Sequence, residues 1–144
     1  SESPRDYIER GSRNSGNLSL AMATIARAGG YQVRLVDMVD RSAGRNAHQI
    51  VEVFYDGGWH AFDPSYGVLF RGIGGRIAGY QELHHNVALV GDVYAGIERP
   101  GWNSERIPDL YRSGIHHFYY FRGAPADAPH TVQVGYGATS PRAY

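Results

Sequence analysis

The sequence predicts an α+β domain in which one N-terminal helix packs on an antiparallel β-sheet. Three observations carry this. Leu18, Ala21, Met22, Ile25 and Ala28 recur at helical spacing between Ser15 and Ala28. Two runs rich in β-branched and aromatic residues flank Asp56-Gly57, the strongest hairpin signal in the chain. Beyond residue 66 the chain reads mainly as short apolar or aromatic runs set between glycine-rich loops, a pattern of further strands.

At 144 residues the chain fits one domain, 1–144, with enough material to bury a core. Fourteen basic and fourteen acidic residues cancel, and no basic run appears, so neither a nucleic-acid nor a membrane-surface partner is expected. No apolar stretch approaches the roughly 18 residues of a membrane span, and no secretory leader is read at the N-terminus. A soluble protein is expected, with compartment and oligomeric state open. Cysteine is absent, which removes disulfides, thiolate metal sites and a thiol nucleophile together. The adjacent pairs His84-His85 and His116-His117 would point to opposite faces of a strand, and no His-x-x-x-His occurs. No metal and no cofactor are expected.

Taken in order, Asp6 to Arg10 suits one helical turn, and residues 11–14 form a loop ending on Asn14, a good N-cap. The helix from Ser15 to Ala28 stops at Gly29-Gly30. A strand follows from Tyr31 to Met38, then a polar loop over 41–45. The hairpin occupies 47–63 and Pro64 breaks it; residues 68–70 continue the sheet. Gly72, Gly74 and Gly75 make a flexible connection and, lacking a following Lys-Ser/Thr, no phosphate loop. A helical turn is expected over 80–83, a short strand over 87–90, a loop over 100–108 and a short helix from Pro108 to Tyr111. Two last strands, 115–121 and 132–136, close the chain.

The hairpin brings chemistry together. With a two-residue Asp56-Gly57 turn, Tyr55 pairs with Gly58, Phe54 with Trp59, Val53 with His60 and Ile50 with Asp63. Side chains alternate faces along a strand, so His48, Ile50 and Asp63 share one face. His48 and Asp63 become diagonal neighbours, roughly 7–8 Å apart at the backbone, a span that an imidazole and a carboxylate bridge. His60 points to the other face. A plain three-residue loop would separate His48 from Asp63, so the turn decides the outcome.

Ser15 opens the helix, where free backbone N–H groups and the positive dipole end stabilise an anion. A nucleophile there, with His48 as general base and Asp63 holding its tautomer, provides the residue types of nucleophilic acyl transfer. The bland alternative is that Ser15 only caps the helix. Asn14 and Arg13, just before it, are candidate side-chain donors to an oxyanion. Trp59 and Tyr66 are candidate walls of a substrate cleft, with hairpin packing the alternative for Trp59. Arg34 suits a structural ion pair, and Glu52, on the His48 face, either a second acid or a cross-strand charge.

The succession of a helix, Gly30-x-x-x-Arg34, His48 with Glu52 four residues on, Trp59 and Asp63-Pro64 resembles the transglutaminase-like superfamily of papain-like enzymes. The resemblance covers roughly residues 11–70, about two-fifths of the chain. It implies a papain-like core with a Cys-His-Asp triad, His48 and Asp63 matching the histidine and aspartate. Counting back fifteen residues from Gly30 puts Ser15 where the family has its cysteine. The implied activity is thiol acyl transfer on a protein or peptide amide: hydrolysis if water accepts the acyl group, cross-linking if an amine does, with hydrolysis favoured.

The serine is the departure. A thiol gives its proton to the imidazole and waits as an ion pair, whereas a hydroxyl must lose it during attack. An oxygen in a pocket shaped for sulfur is also set back, and a misplacement of about 1 Å can cost about a hundredfold in rate. Three readings of Ser15 stay open: a Cys-to-Ser replacement that silences the enzyme, a natural serine enzyme or pseudoenzyme, or a shifted match. The competing class is a binding module whose cleft holds a peptide or glycan without turnover.

Overall fold

A computed structural model describes residues 15–40, 45–95, 97 and 106–120. The expected helical turn at 6–10, the loop ending on Asn14, the 41–45 loop except Arg45 (which opens a strand), most of the 100–108 loop and the strand at 132–136 lie outside the described residues. Helix α1 spans Ser15–Ala28 and strand β1 Gln32–Asp40. β2 (Arg45–Tyr55), β3 (Gly58–Asp63) and β4 (Val68–Leu69) follow, then a 3₁₀ turn at Ile73–Gly75. The helices α2 (Tyr80–His85), α3 (Ala88–Ala95) and α4 (Ile107–Ser113) lead into β5 (His116–Tyr120). The five strands form one sheet in the order β4-β3-β2-β1-β5, and every neighbouring pair is antiparallel. The fold is α+β, consistent with the expected transglutaminase-like core.

α1 ends as Gly29-Gly30 predicts: the Tyr31 N–H reaches the Ala26 carbonyl and the Gly30 N–H reaches that of Arg27, the paired bonds of a Schellman motif. The tight reversal lays α1 alongside the sheet, antiparallel to β1 and therefore running with β2. Its buried stripe follows the expected one only in part: Ala21 is buried and Leu18 and Met22 are half-buried, as expected, but the rest differs. Ser19 and Ala23 are buried, with Leu20, Met22 and Ala26 packed at their sides, while Ile25 is 55% exposed and Ala28 is exposed. Small side chains let the helix lie close to the strands, and the Ser19 hydroxyl donates to the Gln49 carbonyl at 3.0 Å. A polar residue thus holds a contact position that apolar periodicity assigns elsewhere.

The sheet has two covered faces. On one, Val33, Leu35, Val51, Val53 and Tyr119 pack against α1. On the other, Val36, Met38, Ile50, Ala61 and Phe118 meet Tyr80 and Leu83 of α2, Val90 and Tyr94 of α3 and Ile107 and Tyr111 of α4. The strand expected at 87–90 is a correction: Ala88–Ala95 is helical, with Val90 and Tyr94 buried four residues apart on one side. The glycine connection forms a short turn anchored by the Arg71–Ile77 bridge and by Glu82, whose Oε1 accepts the Ile73 N–H at 3.1 Å. Among the described residues no helix is long and apolar enough to cross a membrane.

Candidate active site

The register follows from the turn. Asp56 and Gly57 both take positive φ, 49° and 77°, the conformation a two-residue type I′ turn requires. Tyr55 then pairs with Gly58, Phe54 with Trp59 and Val53 with His60. His48 and Asp63 come together on the face covered by α2, α3 and α4: His48 Nε2 lies 2.7 Å from Asp63 Oδ2. His60 lies on the other face, its ring stacked on Tyr55 at 3.8 Å and its nitrogens facing the Ile77 and Tyr55 carbonyls.

Asp63 is fully buried and His48 is 4% exposed. A buried carboxylate is tolerable only when donors surround it. Asp63 has three: His48 Nε2–H and the Tyr94 hydroxyl, at 2.6 Å, both on Oδ2, and the Ser65 N–H on Oδ1 at 3.1 Å. An ionised carboxylate only accepts, so the His48 proton sits on Nε2 and the imidazole is oriented as a triad histidine is by its acid. Burial, with the neighbouring hydroxyl and carboxylate charges, pushes the Tyr94 and Tyr111 phenols well above their ordinary range, so both stay protonated donors.

The other candidates separate by place. Tyr66 joins the site, its ring 5.6 Å from that of His48 and edge-on to Tyr94 at 5.9 Å. Trp59 sits four residues along β3 from Asp63, with the Arg34 guanidinium 4.1 Å from its ring centre and Phe54 at its edge. Arg34 and Glu52 face each other across β1 and β2 and form a buried ion pair, Nη2 to Oε1 at 2.8 Å and Nε to Oε1 at 2.9 Å. The other oxygen of Glu52 accepts the Tyr80 N–H. Glu52 is thus the cross-strand partner of Arg34.

Ser15 is the first residue of α1; Asn14 and Arg13 lie outside the described residues. The body of α1 covers the sheet face opposite His48. Its second turn is tied to Gln49, the neighbour of His48, so the helix starts at the end of the sheet where His48 lies. Among the described residues no three or more His, Cys, Asp or Glu side chains converge as metal ligands. Sequence reasoning missed Ser65, Tyr94 and Tyr111. Ser65 had a signal, since an aspartate readily binds the N–H two residues on; the tyrosines, 31 and 48 residues beyond Asp63, had none.

A helix laid on an antiparallel sheet, with a buried imidazole–carboxylate pair on adjacent strands, defines the class: an α+β protein with a paired histidine and aspartate in its core. The family model described as the transglutaminase-like superfamily matches residues 1–64, ending one residue after Asp63. That segment, which holds the helix and the first three strands, is similar to the transglutaminase-like superfamily, in line with the sequence resemblance. Neither the curated proteins nor the solved structures contain a match.

Proposed function

We propose that this chain has the framework of a papain-like acyl-transfer enzyme that hydrolyses amide bonds in a protein or peptide. Position 15 is the nucleophile, and Ser15 leaves the chain inactive or strongly impaired. The observation that carries the reading is the buried 2.7 Å contact between His48 Nε2 and Asp63 Oδ2. It commits Nε2 to the acid, so base chemistry falls to Nδ1. With cysteine at position 15, His48 takes the thiol proton, sulfur attacks the amide carbonyl, and the proton passes to the leaving amine. Water, deprotonated by His48, then cleaves the thioester. The helix start stabilises the thiolate before attack, and its N–H groups suit the oxyanion. Tyr66 walls the substrate side of His48.

The test is the Ser15→Cys variant with a thiol-directed acylating probe, read by intact mass. One added acyl group at position 15, lost in the Ser15→Cys/His48→Ala double variant, is expected. No labelling of the introduced thiol defeats the reading. Reaction of Ser15 itself with a fluorophosphonate would instead identify a serine hydrolase.

A further inference from the structure

The Asp63 carboxylate accepts from two side chains on one oxygen, and only one of them belongs to the segment that matches the family. The other, Tyr94, comes from α3, thirty residues beyond that match. Its hydroxyl is 2.6 Å from Oδ2 and 3.2 Å from the Tyr111 hydroxyl of α4. The direction of the chain is fixed by chemistry. An ionised carboxylate cannot donate, so Tyr94 gives its proton to Asp63 and accepts that of Tyr111. The relay runs Tyr111 to Tyr94 to Asp63, then faces the Nε2–H of His48.

We infer that Tyr94 is a positioning residue for the His48–Asp63 pair, and that Tyr111 supports it from behind. This rests on the reading of His48 as the base. Donation from Tyr94 holds the carboxylate so that Oδ2 faces His48, and it draws charge from the oxygen that stabilises the imidazolium. Packing supports the placement: the Tyr94 ring lies 5.6 Å from Phe70, 5.9 Å from Tyr66 and 6.2 Å from Tyr111, so its hydroxyl has little room to turn elsewhere. Among the described residues, groups that face the pair from the packed elements include Tyr66 from the turn after β3, Tyr94 from α3 and Tyr111 from α4. Glu52 and Arg34 lie further along the same sheet face, already paired. Helices outside the matched segment thereby set the proton affinity of the base.

The experiment is a nitrogen-15 NMR titration of His48 in the chain as it stands, beside Tyr94→Phe and Tyr111→Phe. Tyr94→Phe keeps the ring and removes the donor, so more negative charge stays on Oδ2. The His48 midpoint should rise by about half a pH unit or more, and by less in Tyr111→Phe, where Tyr94 still donates. An unmoved midpoint with only a lower melting temperature overturns the inference, since a merely structural tyrosine would do that. Should Tyr94→Phe fail to fold, the unaltered protein decides. A downfield, slowly exchanging Tyr94 hydroxyl proton with a cross-peak to the His48 Nε2 proton supports the relay, and its absence overturns it. None of these readouts needs a nucleophile at position 15, so they separate this inference from the proposed activity.

Discussion

Replacing Arg34 with methionine removes one partner of an ion pair whose two side chains are each 1% exposed. The apolar stem is largely retained, so the main loss is charge. Among the described residues Glu52 then keeps the Tyr80 N–H, at 2.9 Å, as its one donor, and its charge is left uncompensated in the core. Breaking a buried pair from one side costs about 3–5 kcal/mol. The guanidinium also lies 4.1 Å and 3.9 Å from the ring centres of Trp59 and Phe118, adding up to about 2 kcal/mol of cation–π attraction. For a domain of this size the total corresponds to a fall in melting temperature on the order of 10 °C or more. The Arg34→Met/Glu52→Gln double variant removes both charges while the amide oxygen still accepts from Tyr80. It should recover at least half of the loss. Urea unfolding of the four proteins in a double-mutant cycle measures this. Additive losses, or an Arg34→Met cost below about 1 kcal/mol, would refute the view that Arg34 is retained as the counter-charge of Glu52.

Gly79→Ala should lower stability by about 1–3 kcal/mol, the range for forced overpacking, because its Cβ would lie 2.5 Å from the Trp59 carbonyl oxygen and 3.1 Å from Glu52 Oε2; thermal unfolding reads it. Asp63→Asn in the Ser15→Cys background should cut turnover at least about a hundredfold by releasing the His48 tautomer, with a smaller change in KM, in a steady-state peptide assay. Stability should fall at both ends of the pH range. Burial lowers the His116 pKa from 6.5, so the unfolded chain binds more protons as pH drops below about 6.5 and the native state loses ground through the folded pKa. The phenols of Tyr94 and Tyr111 are raised, so their contribution is intact below about pH 10 and declines above it as the unfolded tyrosines ionise. Urea midpoints from pH 5 to 11 would show a plateau between these limits, and His116→Phe should flatten the acid side.

What was legible in the sequence was local. Asp56-Gly57 dictates a turn type, the turn dictates the register, and the register places His48 beside Asp63 from strand geometry alone. Gly29-Gly30 likewise ends α1 where a Schellman motif forms. Two features failed because tertiary packing decided them. The run over 87–90 is too short for periodicity to separate strand from helix, and the stacking of Val90 and Tyr94 on the sheet made it helical. On α1, Ser19 and Ala23 took the contact face because small groups and a hydrogen bond to Gln49 allow close approach. The relay through Tyr94 and Tyr111 was invisible because no spacing rule links residues so distant in sequence.

The proposal that position 15, at the helix start, works with the His48–Asp63 pair meets its most direct test in alkylation kinetics. The rate at which iodoacetamide alkylates the introduced thiol of the Ser15→Cys variant is followed from pH 4 to 10. A reactive thiolate present well below the ordinary thiol pKa of about 8.5, and lost when His48 is also replaced by alanine, is the predicted result. A profile that rises only near 8.5 and is indifferent to His48 would contradict it.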